Sequence, residues 1–140
     1  MVEELYTYSS NDLIDLDGLM KELSPTSFCN ITILDAILQD DNAHVYVIRQ
    51  GEHIIAAGAL CVMHTLEFSI ACIESIVVSS KYRRHGFGRK LIKHMIENAK
   101  RMNVHHIHLT SNPKRIAANN LYQSLGFVKY ETNCYHLDIK

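Results

Sequence analysis

Apolar residues at Leu13, Ile14, Leu16, Leu19, Met20 and Leu23 recur at the three- and four-residue spacing of one helical face, after the capping candidates Ser10 and Asn11. The spacing predicts a first helix over Asp12 to Leu23, ended by Pro25. A shorter helix fits Thr32 to Leu38, and a polar break over Gln39 to Asn42 leads to a strand-like run, His44 to Arg49. Gln50-Gly51-Glu52 then supplies a tight turn. The long run His53 to Leu66, rich in small and β-branched residues, reads as a strand buried on both faces and paired in a hairpin with the one before it.

Ile70 to Val78 is the next strand. After a polar loop, Leu91, Ile92, Met95, Ile96 and Ala99 form one apolar stripe with Lys90, Lys93, Glu97 and Lys100 outside it, predicting a helix over Gly88 to Met102. Val104 to Thr110 is strand-like, and a helix between two strands predicts a parallel, right-handed βαβ unit. Pro113 opens another helix that closes at Leu125, with Gly126 placed for the left-handed C-terminal position. Phe127 to Ile139 reads as a last strand or strand pair. The alternation of elements defines an α/β (α+β) class, and 140 residues suit one domain spanning 1–140.

Composition narrows the function classes. Charged residues make up 21% of the chain and the net charge is -1, which suits neither disorder nor a nucleic-acid partner. The longest apolar stretch, Ile54 to Met63, falls short of the roughly 20 residues of a spanning helix, so no membrane partner is expected. The acidic start Met-Val-Glu-Glu lacks the order of a secretory signal, and a cytoplasmic location is the expectation. Cys29, Cys61, Cys72 and Cys134 are scattered and read as buried free thiols. His105, His106 and His108 invite a metal, but His106 and His108 alternate with Ile107 and Leu109 as in any half-solvated strand, and no partner ligands stand at metal spacing; no metal is expected.

The chemistry concentrates in Lys81-Tyr82-Arg83-Arg84-His85-Gly86-Phe87-Gly88-Arg89-Lys90, which joins a buried strand to a helix. Its glycines let backbone amides converge, the helix dipole adds partial positive charge, and Arg83, Arg84, Arg89 and Lys90 add full charge. Read blandly, the same run is a solvated turn; read chemically, it binds an anion. The nucleotide P-loop ending Gly-Lys-Ser/Thr is missing. A dinucleotide fingerprint fails too, because Leu91 stands where its third glycine belongs.

Arg83-x-x-Gly86-x-Gly88, directly after Ile76-Val77-Val78, resembles the coenzyme A motif of the GNAT superfamily of N-acetyltransferases. Asn119-Asn120-Leu121-Tyr122-Gln123-Ser124-Leu125-Gly126-Phe127 resembles that superfamily's later helix-to-strand segment, at a fitting distance. The two motifs cover roughly the C-terminal half. The resemblance implies a mixed central sheet, flanked by helices and splayed between its fourth and fifth strands, with acetyl-CoA in the gap. It further implies pyrophosphate contacts from the backbone of Arg84, His85, Gly86, Phe87, Gly88 and Arg89 beside Arg83, and pantetheine contacts from Ile76, Val77 and Val78.

Acetyl transfer needs a deprotonated amine, and an alkylammonium titrates near pH 10, so a base or water chain helps. Glu74, a charge inside an apolar strand, is the candidate; in period-2 alternation it shares a face with Ile76 and Val78, where a salt bridge or solvent would also satisfy it. The Ile73 to Val78 run also resembles glucosamine-6-phosphate N-acetyltransferases, in which a glutamate occupies a comparable strand position. Tyr122 matches the tyrosine that protonates the leaving thiolate, against the alternative of a core aromatic. Asn119 is either a cofactor contact or a helix-surface residue. The acceptor, expected to be a small-molecule amine, would meet the first two helices, the loop around Ser24 to Asn30 and the C-terminal strands. An exposed final strand would suit a homodimer. A binding module that senses acetyl-CoA without turnover, and a protein amine as acceptor, are the alternatives.

Overall fold

A computed structural model describes all 140 residues. They form two compact units, Met1–Leu109 and Thr110–Lys140. The first contains β1 (Val2–Leu5), α1 (Ser10–Leu23), α2 (Ile31–Leu38), β2 (Ala43–Gln50), β3 (His53–His64), β4 (Ser69–Val78), a 3-10 turn at Ser80–Tyr82, α3 (Phe87–Arg101) and β5 (His106–His108). The sheet order is β1-β2-β3-β4-β5, antiparallel up to β4 and parallel between β4 and β5. The mixed sheet and α/β class agree with expectation, as does the parallel unit through α3.

β1 has no counterpart in the sequence reading. Four residues are too few for alternation to register, and the strand is held by cross-strand pairs: Glu3 with Arg49, and Glu4 with His44 Nδ1 at 2.9 Å. α1 begins before Asp12 because Ser9, not Ser10 or Asn11, is its cap. The Ser9 hydroxyl accepts from Asp12 N and the Asp12 carboxylate accepts from Ser9 N, each at 3.1 Å, a reciprocal capping box. Asp12 also binds the Arg49 guanidinium through both oxygens, at 2.8 and 3.1 Å, fastening α1 to β2.

The sheet is covered on both faces. Leu16, Leu19 and Leu34 from α1 and α2 pack with Val45, Val47, Ile54, Ala57 and Val77. On the other face Leu91, Ile92, Met95 and Ala99 of α3 have no exposed surface, as the apolar stripe predicts. Each large side chain buried in this way contributes about 1.5–3 kcal/mol. β3 runs between the two layers with small residues, and at Gly58 the space of a side chain is taken by Ile76 and Met95.

One irregularity changes the site. Ala57 pairs with Val77 and Ala59 with Glu74, so Ser75 and Ile76 on β4 face the single residue Gly58 on β3. This is a β-bulge, with Ser75 at φ 57°. It corrects the expectation that Glu74 shares a face with Ile76 and Val78. Glu74 instead lies on the α1–α2 face with Val77, while Val78, opposite Ala56, is on the α3 face.

Tyr46 points into the α3 layer with 1% exposure, and its hydroxyl has no hydrogen-bond partner. Burial pushes its pKa up to about 12. A phenol harder to ionise when folded leaves stability intact below pH 10 and erodes it between about pH 10 and 12, by roughly 3 kcal/mol. Tyr46→Phe is therefore expected to match or exceed the wild type at neutral pH and to lose that alkaline dependence. Urea titrations at pH 7 and pH 11 measure both; a Phe variant destabilised by more than about 1 kcal/mol at pH 7 would contradict the expectation.

The second unit contains α4 (Ile116–Ser124). It starts three residues after Pro113, because Asn112 first closes a turn to Lys114 N and Arg115 N. Its end is a Schellman motif: Gly126 at φ 99°, Phe127 N to Tyr122 O at 3.0 Å and Gly126 N to Gln123 O at 3.1 Å, with the Tyr122 and Phe127 rings 6.1 Å apart. The expected strand over Phe127 to Ile139 is absent. Its alternation is present, but Val128, Tyr130, Tyr135, Leu137 and Ile139 are each at least 80% exposed, and a strand forms only where its backbone finds a ladder partner.

Candidate active site

The strand-to-helix connection of the first unit has the geometry of an anion cradle. Ser79 N donates to Ile55 O at 2.8 Å, anchoring the chain as it leaves β4. Arg84 at φ 67° and Gly86 at φ 78° are both left-handed, which turns successive amides toward one side. Gly86 is the N-cap of α3 and brings no side chain to cap it; the first α-helical bond is Lys90 N to Gly86 O at 3.0 Å. The amides of Phe87 and Gly88 thus have no acceptor within the helix and face the positive end of its dipole.

The charges are less uniform than the sequence implies. Arg83 folds back, its Nε donating to Val78 O at 3.2 Å and its guanidinium lying 3.8 Å from Glu22. Glu22 also accepts from Ser80 N at 2.9 Å, so this α1 residue braces the loop. Nothing in the spacing of α1 pointed to that role. Lys90 sits 5.7 Å from the Phe87 ring, and the His85 and Phe87 rings are 6.0 Å apart. Arg84, His85 and Arg89 are exposed.

Ile76 and Val78 are half-buried and Val77 is buried. β5 pairs with β4 only from Ile70 to Cys72, so beyond Cys72 that edge of β4 has no strand partner. The backbone from Ile73 to Val78 is therefore open to a ligand that can exchange hydrogen bonds with it. Glu74 is exposed beside the bulge, on the same face as Cys61 and Cys72. Burial, followed by the Glu74 charge, raises the pKa of both thiols. All four cysteines are free, but Cys29, Cys61 and Cys72 are half-buried and Cys134 exposed, which corrects the reading of them as buried. A cleft of about 470 Å³ opens around Leu13, Ile14, Cys29 and Ile31, in the helix region expected to meet the acceptor.

In the second unit, Tyr122 is 6% exposed, and burial raises its pKa against an opposing influence from Arg115. The Asn119 amide donates to Asn112 O at 2.9 Å and Arg115 O at 2.8 Å, so its NH2 group is committed to the start of α4. No group of three His, Cys, Asp or Glu is arranged to hold a metal ion, and no helix is long and apolar enough to cross a membrane.

An anion cradle at the start of α3, opening from a strand with a free inner edge, coincides with the family comparison. Residues 11–127 match the model of the acetyltransferase (GNAT) family, and the chain belongs to that family. It is 31% identical over 94 residues to the PanD regulatory factor of Escherichia coli (strain K12), a match covering 67% of this chain and 64% of that relative. A putative acetyltransferase from Agrobacterium tumefaciens shares the fold with a TM-score of 0.85 at 23% identity, over 99% of both chains. The aminoglycoside N-acetyltransferase AAC(6')-Iy, solved with a bisubstrate analogue of coenzyme A, superposes with a TM-score of 0.79 at 18% identity, over 99% of this chain and 97% of that one.

Proposed function

We propose that the protein is an N-acetyltransferase that moves the acetyl group of acetyl-CoA to a primary amine of a small molecule, by direct attack within a ternary complex. The observation that carries this reading is the combination of two left-handed residues, an uncapped α3 N-terminus and the open β4 edge. The amides from Arg84 to Arg89 receive the pyrophosphate. The backbone of Ile76 to Val78 pairs with the pantetheine and polarises the acetyl carbonyl. Glu74 attracts the ammonium of the acceptor, and Tyr122 supplies a proton to the departing thiolate. AAC(6')-Iy, crystallised with CoA, supports both the co-substrate and a small amine as acceptor.

The continuous family match across both units supports one domain over residues 1–140. Four free thiols suit a reducing, cytoplasmic compartment. The exposed apolar residues of 128–139 support a homodimer through that segment.

The second reading is a sensor that binds acetyl-CoA without turnover, favoured by the name of the PanD regulatory factor. A protein amine is the other acceptor class. Acetyl-CoA turnover across putrescine, glucosamine, lysine, aminoglycosides and lysine peptides separates these readings. Thermal shift with CoA, ATP and NAD runs alongside. The enzyme reading predicts stabilisation by CoA alone and release of free thiol with at least one small amine. Stabilisation by CoA with no turnover selects the sensor; stabilisation by ATP or NAD instead removes the family function altogether.

A further inference from the structure

The histidine run of β5 has no part in the reading above, yet its register brings it to the same face as Glu74. In the parallel ladder Ile70 pairs with His106 and Cys72 with His108, so both imidazoles project on the side of the sheet that carries Cys72 and Glu74. This is the α1–α2 face, but Glu74, His106 and His108 are all exposed. His108 is the last residue of β5 in register with β4, at the point where the two strands part. Glu74 stands two residues beyond Cys72, the register partner of His108, on that same face.

The ladder is ordered by its neighbours. The His106 and His108 rings are 5.8 Å apart and 24° from parallel, and Phe68 meets His106 edge-on at 4.9 Å and 83°. His106 thus packs between Phe68 and His108.

We infer that His108 is a further catalytic residue, the proton acceptor for the attacking amine, with His106 as its positioning residue. The inference rests on the acetyltransferase reading. Acid strength favours an imidazole over the carboxylate for this step. Moving a proton from an alkylammonium to a carboxylate runs about six pK units uphill, whereas moving it to an imidazole runs about four. Glu74 then holds the ammonium and His108 removes its proton.

The step balances without any other reactant. The ammonium gives one proton to the imidazole, and the freed lone pair forms the C–N bond at the acetyl carbon. The C–S bond breaks, and the thiolate takes a proton from Tyr122. A second nitrogen proton restores the phenol, the third stays on the amide nitrogen, and the exposed imidazolium returns its proton to water.

Cys72 and Glu74 from β4 and His106 from its own strand are among the groups on the face of His108. The pH dependence is measured against single variants.

The experiment measures kcat/KM from pH 5 to 9 with the fastest of putrescine, glucosamine and lysine, for wild type, His108→Gln, His106→Gln and His108→Ala with and without added imidazole. Acetyl-CoA thermal shift reports folding and co-substrate binding. His108→Gln is expected to lower kcat/KM about 100-fold and to abolish the limb that a histidine base places between pH 5 and 8. Imidazole restores part of the rate to His108→Ala, while His106→Gln keeps the limb at a rate lower by roughly 10-fold. An active wild type whose His108→Gln variant keeps its rate within about threefold, and keeps the limb, overturns this inference alone. A wild type that binds acetyl-CoA and acetylates none of the three amines overturns it together with the small-amine reading.

Discussion

Tyr122→Phe is expected to lower kcat by about 100-fold or more while leaving coenzyme A binding unchanged. Tyr122 is 6% exposed, and burial raises its pKa, so the phenol stays protonated through the neutral range and has a proton to give. Phenylalanine keeps the ring that packs on Phe127 in the Schellman closure of α4, and the helix should survive the change. The loss therefore appears in turnover and not in the CoA thermal shift. The pH dependence has a definite sign. A donor whose pKa is raised above 10 works at all lower pH and fails as the pH rises through the raised value. Wild-type kcat should be flat on this account from pH 7 to 9. A Phe variant with wild-type kcat would remove Tyr122 from the chemistry and strengthen the sensor reading.

Asp12→Ala should be the most damaging substitution for stability outside the apolar core, costing about 3–5 kcal/mol. Two interactions end together: the carboxylate half of the reciprocal cap with Ser9, and the two-oxygen contact with Arg49, the residue that also pairs with Glu3 on β1. Asp12 is 5% exposed, so its removal leaves the partly buried guanidinium without its main counter-charge. The Arg49 hydrogen bonds are the largest influence on the carboxyl and, with those from Ser9, hold its pKa below the usual value against the opposing effect of burial. Its contribution is complete above the unfolded value near 4 and is lost as the pH falls through the lowered folded value. Urea unfolding at pH 7 and pH 3 tests both statements. A loss below about 1 kcal/mol at pH 7 would mean that the pair is only a surface contact.

Most of the fold was legible because apolar periodicity is dictated by burial. The α3 stripe, the doubly buried β3 and the Gly126 closure each follow from a local rule that the structure obeys. β1 was not legible, since four residues carry no period and their pairing depends on Arg49 and His44 some 40 positions away. The final strand failed in the opposite sense: its alternation from Val128 to Ile139 is real, but pairing is a property of two segments and cannot be read from one. In the site, the glycine loop was visible because Gly86 is one of the few residues suited to a left-handed cap. Arg84 in the same conformation, the Glu22 brace and the Ser75 bulge left no mark, since a left-handed arginine or serine is uncommon and is imposed by the surrounding structure, not signalled by residue type.

The bulge gives β4 a change of parity. Up to Glu74 the even-numbered residues Ile70, Cys72 and Glu74 look toward α1 and α2; from Val77 onward the odd-numbered ones do. Any alignment that carries a relative through this strand without the extra residue exchanges inside for outside on one half of it. An acidic residue placed by such an alignment opposite Glu74 would belong to the α3 layer, and its charge would be assigned to the wrong side of the sheet.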